Sequence, residues 1–150
     1  MIELIRTNSE NKDFIYLVRE LDIFLNVIDG SDHPFYAQFN KIDAIKYVIV
    51  AYKNNIPIGG GAIKQWDPNT MEIKRMYVMP EYRGQRVASK ILAALEKWTA
   101  ELSFSKCILE TSIRLPEAMN LYKKSGYHII PNYGQYANVE NSVCFEKTIQ

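Results

Sequence analysis

A chain of 150 residues with 47% hydrophobic and 23% charged side chains has the composition of an ordinary globular protein, and a single domain spanning 1–150 buries about 70% of its unfolded surface without needing a second. The formal net charge of +1 lacks the basic excess that binding to a phosphate backbone uses, so no nucleic-acid partner is expected. No run approaches the ~20 apolar residues of a membrane span, and MIELIRTNSE has no apolar core behind a basic start, which points to a cytoplasmic protein without a membrane partner.

The first elements follow from periodicity. Residues 2–6 read as a strand, and Asn8 or Ser9 is placed to cap a helix whose apolar positions, Phe14, Leu17, Val18, Leu21, Leu25 and Ile28, recur at three- and four-residue steps. Asp29-Gly30-Ser31-Asp32 ends it. The aromatic segment 34–40, PFYAQFN, is expected to form a second helix over the functional site. Residues 47–52 and 56–66 form a hairpin around Lys53-Asn54-Asn55. The run Gly59-Gly60-Gly61 lies inside the returning strand, where glycines mark a bulge or a close backbone approach rather than a phosphate loop, since no Lys-Ser or Lys-Thr pair follows. Asp67-Pro68-Asn69 turns the chain into a strand that begins near Glu72.

The stretch from Glu72 to Lys90, EIKRMYVMPEYRGQRVASK, runs a strand into a basic glycine turn and then into a helix. Ile73, Met76 and Val78 supply the strand and Pro80 stops it. A helix N-terminus exposes unpaired N–H groups with a partial positive charge, so this junction suits a phosphate or pyrophosphate. Gly84 permits close backbone approach, Ala88 keeps the first turn uncrowded, and Arg83 and Arg86 add cationic donors. An ordinary surface turn with two solvated arginines would have the same spacing. Beyond it, Val87, Ile91, Leu95, Trp98 and Leu102 trace the buried stripe of a long helix, and 107–111 gives a strand parallel to the one before it. A last helix, Pro116–Lys124, precedes closing strands at 127–131 and Ser142–Thr148. Cys107 and Cys144 sit in apolar strand-like runs and read as reduced core residues; His33 and His128 are far apart, so no metal site is expected.

The segment Arg83-Gly84-Gln85-Arg86-Val87-Ala88 resembles the acyl-CoA pyrophosphate loop of the GNAT superfamily of N-acetyltransferases, whose pattern is Arg or Gln, two residues, Gly, one residue, then Gly or Ala. Downstream, PEAMNLYKKSGY (116–127) is similar to the second signature of that family, a short helix ending in a Leu-Tyr pair followed by Gly and an aromatic residue. The resemblance covers roughly 46–147. Two positions depart from it: Arg86 stands where the family has its middle glycine, and Leu115 where many members have an asparagine before the second helix.

The resemblance implies an α/β (α+β) fold with a mixed, mostly antiparallel central sheet, a splayed parallel strand pair at its centre and about four flanking helices. It implies acetyl-CoA as acyl donor and a primary amine of a small molecule or protein as acceptor. Cofactor-binding positions are then Met76, Tyr77 and Val78, whose backbone would pair with the pantetheine arm, and Arg83, Gly84, Gln85, Arg86, Val87, Ala88 and Ser89 at the pyrophosphate. Backbone N–H groups near Tyr77 and Val78 would hold the oxyanion. An alkylammonium must lose a proton before it attacks a thioester, and a departing thiolate leaves more readily beside an acid. Glu72, at a position where many members carry a carboxylate, is the expected base with Glu110 in reserve, and Tyr122 is the expected acid. Loop segments 31–36 and 133–136 are candidate walls for the acceptor, with Asp29, Asp32 and Glu72 suited to a cation. A non-catalytic acyl-CoA sensor and a longer acyl donor remain as alternatives, the sensor disfavoured because it needs neither Glu72 nor Tyr122, and a homodimer is allowed without any stretch that marks its interface.

Overall fold

The computed structural model describes residues 1–30 and 44–150. Its elements are β1 (Ile2–Thr7), α1 (Lys12–Asp29), β2 (Tyr47–Lys53), β3 (Ile56–Asp67), β4 (Thr70–Val78), α2 (Val87–Glu101), β5 (Lys106–Ser112), α3 (Pro116–Lys124), β6 (His128–Ile130) and β7 (Ser142–Thr148). Short 3-10 turns at Pro80–Tyr82 and Gly134–Tyr136 complete the list. The helix expected over 34–40 lies outside the described residues, so three α-helices stand among those described.

The seven strands form one sheet in the order β1-β2-β3-β4-β5-β7-β6. Every neighbouring pair is antiparallel except β4 and β5. Strand alternation sorts side chains to two faces. Val48 and Val50 of β2 join Ala62 and Tyr77 beneath Phe14, Leu17 and Val18 of α1. Ile49 and Ala51 face the other way, with Ile63, Met71 and Leu109, against Val87, Ile91 and Leu95 of α2. Fully burying one such side chain contributes about 1.5–3 kcal/mol, so the paired layers carry most of the favourable burial.

Local chemistry explains the turns. The hairpin between β2 and β3 is closed by Asn54 and Asn55 at φ 52° and 65°, the left-handed pair that a two-residue loop requires and asparagine tolerates. The N-cap of α1 is Asn11, whose side chain accepts from the Phe14 N–H at 3.0 Å. The expected caps serve elsewhere: Asn8 Oδ1 accepts from Glu10 N–H, and Ser9 Oγ accepts from Ile45 N–H, tying the start of α1 to the approach to β2.

The glycine run of β3 works as expected. A Cβ on Gly60 would stand 3.1 Å from the Ile49 carbonyl, and one on Gly61 would stand 2.5 Å from Met76 Sδ and 3.1 Å from both Ile91 and Leu95. The register of β3 on β4 shifts between Gly60 and Ala62. Across from that shift Arg75 takes φ 60°, so β4 carries a bulge at its middle, and a bulge bends its strand. Parallel pairing of β4 with β5 covers only Thr70 with Lys106, Met71 with Cys107 and Glu72 with Ile108. Beyond Glu72 the two strands part, and the gap between them opens the functional site.

Candidate active site

A cavity of about 670 Å³ occupies this gap. It runs from Arg83, Gly84 and Arg86 and the head of α2 at one end, past Met76, Tyr77 and Val78 of β4 and Tyr122 of α3, to Glu72, Glu110, Asp29 and Tyr136 at the other. Leu21, Phe24, Leu25 and Ile28 give it an apolar wall from α1; Leu21, Leu25 and Ile28 belong to the stripe read in the sequence, and Phe24 joins them beside it.

At the loop end, Gly84 has φ 78° and Arg86 has φ 64°, ψ 20°. A Cβ on Gly84 would meet nothing within 4 Å, so it is the backbone angle, not crowding, that calls for glycine there. Arg86 adopts the same left-handed region with a full side chain, which costs roughly 1–2 kcal/mol relative to glycine. This is the position where the sequence departs from the loop it resembles, and the backbone keeps the conformation that a glycine would take. Arg86 is the N-cap of α2, makes no side-chain cap hydrogen bond, and is followed by no acidic residue in the first turn. The first N–H groups of α2, at Val87, Ala88 and Ser89, therefore face the cavity end without an intrahelical or side-chain acceptor, the arrangement that favours an anion.

The two arginines divide. Arg86 is exposed at the cavity rim. Arg83 turns back along the chain: its Nε donates to the Val78 carbonyl at 2.9 Å, and its guanidinium lies 5.1 Å from the Phe24 ring centre and 5.4 Å from that of Tyr77. Arg83 thus closes the end of β4 and binds it to α1 while still lining the cavity. Gln85 is exposed and stands off the cavity wall.

Tyr122 is 6% exposed, packed edge-on to Tyr127 and against Phe145. Burial, reinforced by the Glu110 charge, pushes its phenol above the usual range, so it stays protonated and can donate. No hydrogen bond engages its hydroxyl among the described residues.

Glu72 and Glu110 stand on neighbouring strands at the far end. Glu72 is 6% exposed; its Oε2 accepts from the Tyr133 hydroxyl at 2.7 Å and its Oε1 lies 3.6 Å from Lys74 Nζ. Glu110 Oε2 accepts from Ser142 Oγ at 2.7 Å. Burial pushes the Glu110 carboxyl up to about 7, against the lowering effect of Ser142, with the Asp29 and Glu72 charges adding to the rise. Tyr133 is raised by burial and by the Glu72 charge, which keeps its proton on the phenol as the donor. Burial also lifts Cys107 and Cys144 to about 11; both are free neutral thiols in the core, which suits neither for nucleophilic work. Among the described residues no group of His, Cys, Asp or Glu is arranged to hold a metal ion.

The structure thus brings Glu72, Glu110, Tyr122, Met76, Tyr77, Val78, Arg83, Gly84, Arg86, Val87, Ala88 and Ser89 to one cavity. Asp32 and the rest of 31–36 lie outside the described residues; from the other expected acceptor wall, Tyr136 reaches the cavity and Tyr133 supports it through Glu72. Ser142 had no sequence signal, because nothing local in SVCFE says that its hydroxyl meets a carboxylate on β5.

Comparison with known proteins agrees with this architecture. The model of the acetyltransferase (GNAT) family matches residues 15–127, and the chain belongs to that family. An uncharacterized N-acetyltransferase of Escherichia coli, YjgM, is 32% identical over 87 residues, 56% of this chain and 52% of the relative, so the match spans about half of that protein's length. An IAA acetyltransferase of Azospirillum brasilense is 28% identical over 138 residues, 90% of each chain. The crystal structure of an acyl-CoA N-acyltransferase from Klebsiella pneumoniae superposes with a TM-score of 0.84 at 27% identity, covering 100% of this chain and 99% of that one. The fold also matches a PaiA N-acetyltransferase of Thermoplasma acidophilum, solved with coenzyme A, at a TM-score of 0.73 and 17% identity, covering 99% of each chain.

Proposed function

We propose that residues 1–150 form one catalytic unit that transfers an acetyl group from acetyl-CoA to a primary amine by direct attack of the amine on the thioester. The observation that carries this reading is the sharing of one cavity by an uncapped helix N-terminus, a protonated tyrosine and two carboxylates. A binding module would need the first of these and neither of the others.

The cavity suits the donor along its length. Val87, Ala88 and Ser89 offer N–H groups, and Arg86 a guanidinium, to the pyrophosphate. The opened edge of β4 at Met76, Tyr77 and Val78 offers backbone hydrogen bonds to the amide-bearing arm, as an added strand would use. Acetyl-CoA supplies an acyl group already activated as a thioester, so no covalent enzyme intermediate is required. Tyr122, neutral and with its hydroxyl unengaged among the described residues, donates to the sulfur as the carbon–sulfur bond breaks. A cavity carboxylate takes the proton of the incoming ammonium, whose pKa near 10 otherwise leaves almost none of it nucleophilic at pH 7. Backbone N–H groups near Tyr77 and Val78 would offset charge on the carbonyl oxygen.

The experiment is calorimetric titration with acetyl-CoA, followed by thiol-release assays over a panel of small amines and lysine peptides. Saturable binding with thiol release for one amine class supports a transferase and names its acceptor. Binding without release across the panel makes the protein an acyl-CoA sensor, and absence of binding removes the reading.

A further inference from the structure

We propose that Glu110 is the group that takes the acceptor's proton and that Ser142 is its positioning residue, while Tyr133 and Lys74 hold Glu72 out of proton transfer. This rests on the acyl-transfer reading above and divides the roles of the two carboxylates, which the sequence leaves open.

Oxygen accounting separates the two. Glu72 has both oxygens engaged, Oε2 by the Tyr133 hydroxyl and Oε1 by the Lys74 ammonium. A carboxylate whose two oxygens already meet a phenol and an ammonium has no uncommitted oxygen to offer an incoming ammonium N–H. Glu110 has one oxygen engaged: Oε2 accepts from Ser142 Oγ at 2.7 Å, and Oε1 takes no hydrogen bond among the described residues. The Ser142 hydroxyl fixes the plane of the carboxylate and leaves the second oxygen for the ammonium N–H. Both side chains line the same cavity, Glu72 at the last paired position of β4 and Glu110 two residues past its partner Ile108 on β5, where the strands have parted.

The surroundings of Glu110 agree with this division. Charged groups face it from α1, through Asp29, and from β4, through Glu72 and Lys74. Tyr122 of α3, Tyr136 of the 3-10 turn and Cys144 of β7 face it as neutral donors, and Arg75 and Arg114 stand in the wall of the same cavity. Burial, opposed by the Ser142 hydroxyl and Lys74 and reinforced by the Asp29 and Glu72 charges, leaves the carboxyl titrating at about 7, where a base is both ionised in quantity and strong enough to act. In the step itself an ammonium N–H bond breaks and its proton passes to Glu110 Oε1. The freed nitrogen pair then forms the new carbon–nitrogen bond as the carbon–sulfur bond breaks, and the second N–H proton leaves the nitrogen to give the neutral amide, replacing through solvent the proton that Tyr122 gives up. The thiolate is protonated through Tyr122, and Glu110 returns its proton to solvent.

The test joins a titration with kinetics. Carbon-13 NMR titration of the glutamate carboxyls in the free protein, with Glu110→Gln and Glu72→Gln used to assign the two resonances, is expected to place Glu110 near 7. Ser142→Ala should move that midpoint up by roughly one pH unit, the size of one hydrogen bond to a charged group. Ser142→Thr should restore it, and Tyr133→Phe should move the Glu72 resonance alone. In kcat/KM for the amine found by thiol release, the acid limb is expected to coincide with the Glu110 midpoint and to follow it in Ser142→Ala, lowering the rate at pH 6 about tenfold. A limb that tracks Glu72, or that stays in place while the Glu110 midpoint moves, overturns the assignment of the base. A Glu110 midpoint indifferent to Ser142→Ala overturns the role of Ser142. If Ser142→Ala does not fold, the wild-type limb and the Tyr133→Phe variant still decide between the carboxylates. A wild type that acetylates no amine is a different failure: it removes the transferase reading, and this assignment with it.

Discussion

The raised carboxyl of Glu110 makes a prediction about stability that needs no substrate. Its ordinary value is 4.5, and burial lifts it to about 7 in the folded protein. Between these values the folded state holds a proton that the unfolded chain has released, so the slope of unfolding free energy with pH is negative for this group. The loss begins as pH rises past the unfolded value, is complete above the folded one, and at ~1.4 kcal/mol per unit amounts to about 3 kcal/mol. That is a large fraction of the 5–15 kcal/mol typical of a domain. Glu110→Gln removes the charge and keeps an acceptor for Ser142 Oγ, so the variant should not suffer this loss. Urea unfolding of both proteins at pH 5, 6, 7 and 8 reads the difference, in which the other titrating groups largely cancel. The variant should gain on wild type as pH rises, ending with a midpoint higher by about 1–2 M at an m-value near 2 kcal/mol per M. A wild-type-to-variant difference that stays constant from pH 5 to 8 would show that Glu110 titrates as an ordinary surface carboxylate, and the division of roles would lose its physical basis.

Tyr122→Phe should lower turnover by roughly 10²-fold and leave the calorimetric affinity for CoA almost unchanged; equal losses in both would mean that the hydroxyl positions the cofactor instead. Arg86→Gly should raise Tm by about 2–4 °C by relieving the left-handed backbone, while weakening CoA binding and flattening its salt dependence through the lost charge; a lowered Tm would refute the strain argument. Gly61→Ala should cost about 1–3 kcal/mol in urea unfolding, because its Cβ would stand 2.5 Å from Met76 Sδ and 3.1 Å from Ile91; an unchanged midpoint would show that α2 can move away from β3.

Features encoded within a few residues were readable before any fold was known. The stripe of α2 from Val87 to Leu95 declares its buried face by period, and the unbroken apolar run of β2 from Val48 to Ala51 declares a strand buried on both faces. The asparagine pair at 54 and 55 and the basic turn before Val87 are equally local, since turn geometry and a helix N-terminus are properties of short segments. Even there, cap choice escaped: Asn8, Ser9 and Asn11 are all competent acceptors, and only the path of the chain toward Ile45 makes Asn11 the cap.

The acid–base half of the site is of another kind. Ser142 meets Glu110 across 32 residues and Tyr133 meets Glu72 across 61, and no periodicity reports such pairings. They follow from the register of β5 on β7 and from the path of the segment between β6 and β7. Arg83, which by sequence looks like a ligand for the anion, donates to the Val78 carbonyl and lies over Tyr77 and over Phe24, which the packing of α1 brings within its reach. Local sequence was enough to place a basic turn and a helix N-terminus at the head of α2 and a tyrosine on α3. The partners and burial of the two carboxylates were decided by tertiary structure, because protonation energy depends on burial and on neighbours that only the folded chain brings together.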